Sequence, residues 1–199
     1  MDTLQSVALA GGMAWASGMR LYAVLFAAGL LGRLGYLQLP STLQVLENPW
    51  VLGLSGVLLL VEFLADKIPV VDSIWDSVQT FIRIPAGALL AALALGDHDP
   101  ALMVAAGLLG GTLTAGTHAM KAGSRALINT SPEPFSNIAT SLGEDALVTS
   151  GLAVAVFHPL LFLILLSLFV LMLIWLLPKL FRGVRTIFGG IFGRKGAAS

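Results

Sequence analysis

The residues of this sequence that could do chemistry are charged and polar side chains within or beside long apolar stretches. The candidates for a substrate-binding site are Arg20, Glu62, Asp66, Lys67, Asp72, Asp76, Arg83, His118, Lys121, Arg125, Glu133, Asn137, Glu144 and Asp145. A charge inside a membrane-spanning helix costs about 2.5 to 3.5 kcal/mol, so such groups are paired, hydrated or functional. We expect the acids and the bases to meet in one buried polar centre.

Two kinds of ligand suit such a centre, and the sequence does not choose between them. The bases would hold phosphate or a lipid head group, whereas the carboxylates would hold a small cation. A proton-coupled carrier would use a buried carboxylate, for which Glu62 and Glu144 are the best candidates. The sequence therefore indicates a small transporter, channel or lipid translocator. The alternative is a membrane-embedded enzyme or a scaffold whose ion pairs only fix the register of the helices.

Signals for catalysis are weak. Gly53-Leu54-Ser55-Gly56 is one residue short of a nucleophile elbow and lies in an apolar helix, where packing explains it. His118 with Lys121, and Ser131 near Glu133, do not have a spacing that is specific to hydrolases. The chain has no cysteine and its three histidines are scattered, so no cofactor is predicted and a metal site stays undetermined.

The elements that must position these groups are membrane helices. The chain has 199 residues, of which 57% are hydrophobic and 11% charged, and this composition excludes a soluble domain. The mean hydropathy is +0.90. Because a bilayer core about 30 Å thick needs roughly 20 apolar residues per helix, we predict an all-α bundle of about six transmembrane spans. Their approximate ranges are 4–31, 50–65, 72–95, 101–120, 136–157 and 160–177.

The chain divides into a membrane domain, residues 1–178, and a basic tail, residues 179–199, because Pro178 is expected to end the last span. Phe181, Ile187 and other apolar residues recur at helical spacing between the arginines of the tail. This pattern predicts an amphipathic helix that contacts anionic lipid. Nucleic acid is not an expected partner of a basic segment so close to a span, and self-association stays open.

Basic residues also indicate the orientation. Under the positive-inside rule the tail places the C-terminus in the cytoplasm, and an even number of spans then places the N-terminus there too. We expect a multi-pass protein of a bacterial inner membrane, with both termini cytoplasmic and the polar centre open to the cytoplasm. The expected partners are the bilayer, anionic lipid at the tail, and a small ion, phosphate or lipid head group in the centre.

Two segments share one plan, which is an apolar span, polar residues, a proline turn, and a helix that is polar first and apolar later. They are residues 50–96 and 101–157. Weak internal repeats of this kind often frame the binding site of a transporter, although two unrelated hairpins would look the same. Both polar connections would face the cytoplasm, so the repeat is one of like orientation.

Two long motifs carry a resemblance to a known family. The first is Glu62-Phe-Leu-Ala-Asp-Lys-Ile-Pro-Val-Val-Asp-Ser-Ile-Trp-Asp76, and the second is Ser131-Pro-Glu-Pro-Phe-Ser-Asn-Ile-Ala-Thr-Ser-Leu-Gly-Glu-Asp145. With Ser17-Gly-Met-Arg20 and Tyr22, the chain up to about Phe157 resembles an uncharacterised bacterial membrane-protein family, catalogued as domain of unknown function 4126. The resemblance supports a membrane protein and implies no activity, substrate or cofactor.

Overall fold

The structure, a computed structural model, describes residues 2–128 and 134–193, and this part of the chain is almost entirely helical. It contains six α-helices and a short 3₁₀ helix, and no strand. They are α1 (Thr3–Arg33), the 3₁₀ helix (Ser41–Glu47), α2 (Pro49–Ala65), α3 (Pro69–Leu93), α4 (Pro100–Ile128), α5 (Pro134–Phe157) and α6 (Pro159–Gly193). The predicted all-α class is confirmed.

Proline and capping residues explain where the helices start. Every α-helix after α1 begins with proline, because the first position does not need an N–H and the fixed φ of proline suits a helix. Asn48 caps α2 by accepting a hydrogen bond of 2.9 Å from the Trp50 N–H. Asp2 forms a capping box with Gln5 at the start of α1. Helix α3 likewise begins with a proline, Pro69, and so starts before residue 72, the predicted start.

Helix α1 reverses direction at Arg20. This residue has φ −143° and ψ 72°, outside the helical region, and so divides α1 into two helical halves, residues 3–19 and 21–33. In a straight helix Leu9 and Leu31 would lie about 33 Å apart, yet both line one cavity of about 360 Å³. The halves therefore form a hairpin with Arg20 at its tip, and the prediction of one continuous span over residues 4–31 is not confirmed.

The hairpin returns the chain to the end of the bundle where it began, here called the N-terminal end. Gln5 and Gln38 line one pocket there, beside Phe157 at the end of α5. The opposite end holds the last turn of α2 and is called the charged end. In α6, Leu180 packs at this end against α4, where a Cβ on Gly123 would lie 3.6 Å from it. The start of α1 and Leu180 of α6 thus lie at opposite ends of the bundle, because α1 passes through the bundle twice. The cytoplasmic location of both termini stays a prediction.

The α1 hairpin lies in the middle of the bundle and contacts all the other helices. Small residues permit this approach, since a Cβ on Gly18 would lie 2.6 Å from the Thr114 carbonyl oxygen and 2.7 Å from the Thr117 Cβ. Helices α3 and α4 also pack closely. Gly107 and Gly111, the small-residue pair of α4, lie against alanines of α3.

Apolar side chains cover the outside of the bundle. Trp50, Phe81 and Leu109 expose 87%, 82% and 72% of their surface. Leucine, valine and isoleucine occupy the neighbouring outer positions on α2, α3, α4 and α6. Apolar patches of this extent are rare on proteins in water, whereas lipid tails solvate them. The outer faces therefore indicate a membrane protein.

By length and composition, three described helices could cross a membrane: α1, α4 and the segment Pro159–Gly183 of α6. The 3₁₀ helix together with α2 makes a fourth candidate, bent by 67°. Helices α3 and α5 have 25 and 24 residues, which is long enough, but their first halves are polar. The prediction of six spans is not confirmed, because part of the apolar length belongs to a hairpin and part of the helical length is charged.

Helix α6 continues past the position where the sequence predicts its end. His158 separates α5 from α6 as expected, but Pro178 lies inside α6, which extends to Gly193. A proline removes one hydrogen bond from a helix, yet lipid offers the freed backbone no other partner, so the helix does not unwind there. The contact of the basic tail with anionic lipid stays a prediction.

Single cysteines can test the hairpin, because the chain has no cysteine of its own. We expect Thr3→Cys and Gln38→Cys, at exposed positions of the N-terminal end, to react with a membrane-impermeant maleimide from one side of the membrane. Arg182→Cys should react from the other side. Labelling of intact cells and of inverted vesicles measures this, and reaction of Thr3→Cys and Arg182→Cys from the same side would rule out the hairpin.

The contact between α1 and α4 leads to a second prediction. Gly18→Ala is expected to lower the unfolding temperature in detergent, since overpacking costs about 1–3 kcal/mol. Gly53→Ala is the matched control, because a Cβ at this position meets nothing within 4 Å and alanine favours a helix. Gly53→Ala should therefore unfold at or slightly above the wild-type temperature. A Gly18→Ala variant as stable as the wild type would contradict the packing described.

Candidate functional site: a buried charged centre

The tip of the α1 hairpin carries a fully buried arginine. The guanidinium of Arg20 pairs with Asp66 at the end of α2 and with Asp145 on α5, where the N···O distance is 2.9 Å. It also donates a hydrogen bond of 2.9 Å to the Ser141 hydroxyl. One side chain therefore joins the hairpin to α2 and α5 through charge-assisted contacts.

Lys121 on α4 completes the tip. Its ammonium donates to the Met19 carbonyl oxygen at 3.3 Å, at the end of the first half of the hairpin, where a cation is favoured by the helix dipole. The same ammonium lies 3.3 Å from Asp66 and 3.5 Å from Asp76. Lys121 thus stabilises the reversal of α1 and connects the partners of Arg20 to α3.

A second arginine, Arg83 on α3, is equally buried. Its guanidinium pairs with Glu62 of α2 and, at 2.9 Å, with Asp76. It also lies 3.2 Å from Nδ1 of His118. Because a guanidinium only donates, Nδ1 accepts and the histidine proton is on Nε2, which donates to the Thr80 hydroxyl at 2.7 Å. The geometry therefore assigns a neutral His118.

Arg125 of α4 closes the centre on the side of α5. Its Nε and Nη2 atoms donate to the two carboxylate oxygens of Glu144 at 3.1 and 2.8 Å, a bidentate pair. Its Nη1 atom donates to the Asn137 side chain at 2.7 Å. The polar first half of α5 is thus held against the polar last half of α4.

Most of the predicted site residues meet in this centre. They are Arg20, Glu62, Asp66, Asp72, Asp76, Arg83, His118, Lys121, Arg125, Asn137, Glu144 and Asp145. Lys67 lies only at its edge, with the ammonium 3.0 Å from the ring centre of Phe63. Loss of hydration lowers the pKa of Lys67, and the nearby carboxylate of Asp145 opposes this shift. Glu133 and Ser131 lie outside the described residues.

Sequence reasoning missed uncharged members of the centre. Ser141 receives a hydrogen bond from Arg20, and the buried Gln79 donates one of 2.9 Å to the Tyr22 hydroxyl. Gln79 stands three residues after Asp76 and shares its helix face, so helical spacing could have identified it.

The charges of the centre do not balance. Among the described residues its acids are Glu62, Asp66, Asp72, Asp76, Glu144 and Asp145, and its bases are Arg20, Lys67, Arg83, Lys121 and Arg125. Fully ionised, these six acids and five bases, of which Lys67 lies only at the edge of the centre, have a formal charge of −1. This formal charge suits a proton or a cation better than an anion.

The arrangement of the described carboxylates does not suit a multidentate metal site. No group of three or more histidine, cysteine, aspartate or glutamate side chains in the described ranges could hold a metal ion. Arginine and lysine side chains lie between the carboxylates instead. A proton, which needs a single carboxylate oxygen, fits this arrangement better than a divalent metal, which takes several oxygen ligands at once.

A polar pocket reaches the centre from outside, between α3 and α4. Its volume is about 260 Å³, and Asp72, Asp76 and Arg125 line it together with serine and threonine hydroxyls. The ion pairs next to it are close-packed and lie almost entirely out of contact with solvent. Within the described part of the chain, this pocket is therefore a direct route to the carboxylates.

The centre does not have the geometry of a nucleophile and its base. His118 donates to Thr80 rather than accepting from it, and Arg83 occupies its other nitrogen. Ser55, in the segment that resembles a nucleophile elbow, lies inside α2 and donates to the Leu52 carbonyl oxygen at 3.2 Å. The hydrolytic arrangements suggested by the sequence are thus not assembled among these residues.

A protein-family model described as "Domain of unknown function (DUF4126)" matches residues 7–179 of the chain. The matched range contains most of the α1 hairpin, every residue of the charged centre and both long motifs. No curated protein and no solved structure shows a significant match. The family expected from the motifs is confirmed, and its description states no activity.

The bidentate pair of Arg125 and Glu144 can be tested by a double-mutant cycle. Arg125→Ala leaves a largely buried carboxylate without its partner, and we expect a loss of about 3–5 kcal/mol of unfolding free energy. Adding Glu144→Ala should cost less than the sum of the two single changes. Unfolding in detergent measures the cycle, with Glu47→Gln in the 3₁₀ helix as a control acid outside the centre. A coupling energy near zero would mean that the pair adds no stability.

Proposed function

The chain belongs to the DUF4126 family, and we propose that it is a small membrane carrier whose charged centre binds a monovalent cation, in the simplest case a proton. One observation carries the proposal: the centre surrounds the tip of an interrupted helix, at Arg20. Broken helices place charged side chains and free backbone groups at the substrate sites of many transporters.

The charge balance supports a cation over a phosphate group. Each buried base already contacts at least one carboxylate, and the pairs of Arg20 and Arg83 are fully buried on both sides. A phosphate would have to displace these carboxylates in a centre that already carries excess negative charge. A proton or cation removes the excess and leaves the ion pairs in place.

The break in α1 at Arg20 could act as a hinge between the two halves of the hairpin. Only Arg20 departs from helical geometry within α1, and the two halves on either side of it are regular. Protonation of Glu62 would weaken its pair with Arg83 and change how tightly α2 holds α3. Residues at the junction of two rigid segments are those that absorb the backbone rotation of a domain or gate movement.

We propose that α2 to α6 make five crossings and that the α1 hairpin enters and leaves from the N-terminal end. Helices α3 and α5 would cross with their polar halves against α1, where charged residues of membrane proteins are accommodated. Lys67, Lys121 and Arg182 all lie toward the charged end, so the positive-inside rule favours a cytoplasmic charged end. In a bacterium this membrane would be the inner membrane.

A structural role of the ion pairs is the second candidate, and the complete burial of the Arg20–Asp66 and Arg83–Glu62 pairs favours it. A scaffold needs the same contacts but no exchange of ligand or proton. The two functions differ in one measurable property, which is flux.

The decisive experiment uses the purified full-length chain in liposomes that contain a pH-sensitive dye. With an imposed membrane potential, we expect proton or Na⁺ flux above that of protein-free liposomes. Glu62→Gln should reduce the flux at least tenfold, since it removes a buried titratable group without changing its size. Glu47→Gln should retain the wild-type flux, because Glu47 lies outside the centre.

Each variant is checked for folding by its unfolding temperature and elution profile. If Glu62→Gln does not fold, Glu144→Gln replaces it, because Glu144 is partly exposed and its loss is better tolerated. Flux that equals that of protein-free liposomes for H⁺, Na⁺ and K⁺, with folded protein, overturns the carrier proposal. If neither Glu62→Gln nor Glu144→Gln changes the flux, the pathway lies outside this centre.

A further inference from the structure

A carboxylate oxygen of Glu62 lies in the charged centre without a donor. The side chain is fully buried, and its Oε1 atom accepts a hydrogen bond from Nη2 of Arg83. The second oxygen, Oε2, has no hydrogen-bond partner in the part of the chain that the structure describes. Asp145 has such an oxygen too, but its side chain is 30% exposed and so keeps more of its hydration. A charged oxygen that is buried without a donor favours the binding of a proton.

The contact between Arg83 and Glu62 is half of a bidentate pair. A guanidinium that binds both oxygens of a carboxylate can use Nε and Nη2, which lie on one edge, as Arg125 does with Glu144. Arg83 uses Nη2 only, and its buried Nε has no hydrogen-bond partner among the described residues. A turn of the guanidinium in its plane would bring Nε to Oε2 and would occupy the oxygen that a proton needs. The other contacts of Arg83 must therefore prevent this turn.

The third nitrogen of Arg83 is held by two acceptors. Nη1 carries two hydrogens and donates to Asp76 at 2.9 Å and to Nδ1 of His118 at 3.2 Å. A turn that brings Nε toward Glu62 would move Nη1 away from both acceptors. Because His118 is neutral, its contact with Arg83 can be removed without changing the charge of the centre.

The imidazole of His118 is itself fixed in place. Its Nε2 atom donates to the Thr80 hydroxyl at 2.7 Å, and that hydroxyl donates to the Asp76 carbonyl oxygen at 2.9 Å. Only 4% of His118 is exposed. Helix α1 packs directly against this turn of α4, since a Cβ on Gly18 would lie 2.9 Å from the His118 backbone nitrogen. Nδ1 is therefore a rigid acceptor that holds Nη1 of Arg83 in one orientation.

From these contacts we infer that Oε2 of Glu62 is the atom that binds the proton of the centre, and that His118 is a positioning residue that keeps this atom free. The proton forms an O–H bond at Oε2, and the hydrogen bond from Arg83 to Oε1 remains. His118 does not take part in the transfer and acts only through Arg83. The inference rests on the proposed function in one respect, which is that a proton is the ligand.

The charges around Glu62 and His118 determine which of them takes the proton. The charged neighbours of Glu62 come from four helices and are Arg20, Asp66, Arg83 and Lys121. Those of His118 are Asp76, Arg83 and Lys121. A proton on Nδ1 of His118 would lie against the guanidinium of Arg83, whereas a proton on Oε2 of Glu62 meets a free acceptor. Acid therefore protonates Glu62 and leaves His118 neutral.

Infrared difference spectroscopy tests the proton site. The purified full-length chain is titrated with acid in detergent, and the C=O band of protonated carboxyl groups is recorded. We expect a band that Glu62→Gln removes and that Glu47→Gln retains, because Glu47 lies in the 3₁₀ helix outside the centre. If Glu62→Gln does not fold, Glu62→Asp, which should shift the band, replaces it. The absence of a Glu62 band over the pH range in which the protein is folded would overturn the assignment.

Two variants of His118 separate the roles of its two ring nitrogens. His118→Gln keeps a polar group beside Thr80 but lacks an acceptor at the position of Nδ1, so Arg83 can turn toward Oε2. The proton affinity of Glu62 should then fall about tenfold, which lowers the midpoint of its titration by one pH unit. His118→Asn keeps an acceptor near the position of Nδ1 and loses the contact with Thr80, and it should titrate like the wild type. A merely structural role would lower the unfolding temperature of the variants and move neither midpoint.

Equal midpoints in His118→Gln and His118→Asn would overturn the positioning role. If His118→Gln does not fold, nitrogen NMR of the wild-type imidazole decides instead, and a protonated Nδ1 in the pH range where Glu62 titrates would contradict the inference. No flux is measured in these experiments. A Glu62 that titrates in a protein without flux would thus leave this inference in place and refute only the carrier proposal.

Discussion

The buried guanidinium of Arg20 is the constraint on which the rest of the architecture depends. Without water, its charge and its N–H groups must be satisfied by protein atoms. Asp66 and Asp145 compensate the charge from two different helices and Ser141 accepts a hydrogen bond from Nη2, so the end of α2 and the first half of α5 must converge on the tip of the hairpin. The other ion pairs follow from this convergence, since the carboxylates that it gathers need bases of their own.

The helices of the bundle therefore need an apolar surface toward the lipid outside and a polar surface toward the charged centre inside. Helices α2 to α5 meet both demands by keeping their polar halves at the charged end and their apolar halves at the other. This is the plan that residues 50–96 and 101–157 share in the sequence. The first segment brings acids to the end of its apolar helix and the second brings bases, so the two segments complement each other at one place.

Part of this arrangement can be predicted from the sequence because lipid leaves few alternatives. Prolines mark five helix starts, and charges inside apolar segments must find each other, which identifies most of the centre. The reversal at Arg20 could not be predicted, because a change in φ and ψ at one residue alters neither hydropathy nor length. The sequence also could not show that Lys67 lies only at the edge of the centre, because the contact of its ammonium with the Phe63 ring is visible only in the structure.

The hairpin also determines the order in which the protein can be assembled. Residues 3–33 leave the ribosome well before the groups that hold Arg20, since Ser141 lies 121 residues further along the chain. Until α2, α4 and α5 are present, the hairpin has no means of burying its arginine in lipid. The hairpin is thus made before the helices that bury its arginine, and biogenesis must hold an unpaired apolar hairpin at the membrane until the rest of the bundle forms around it.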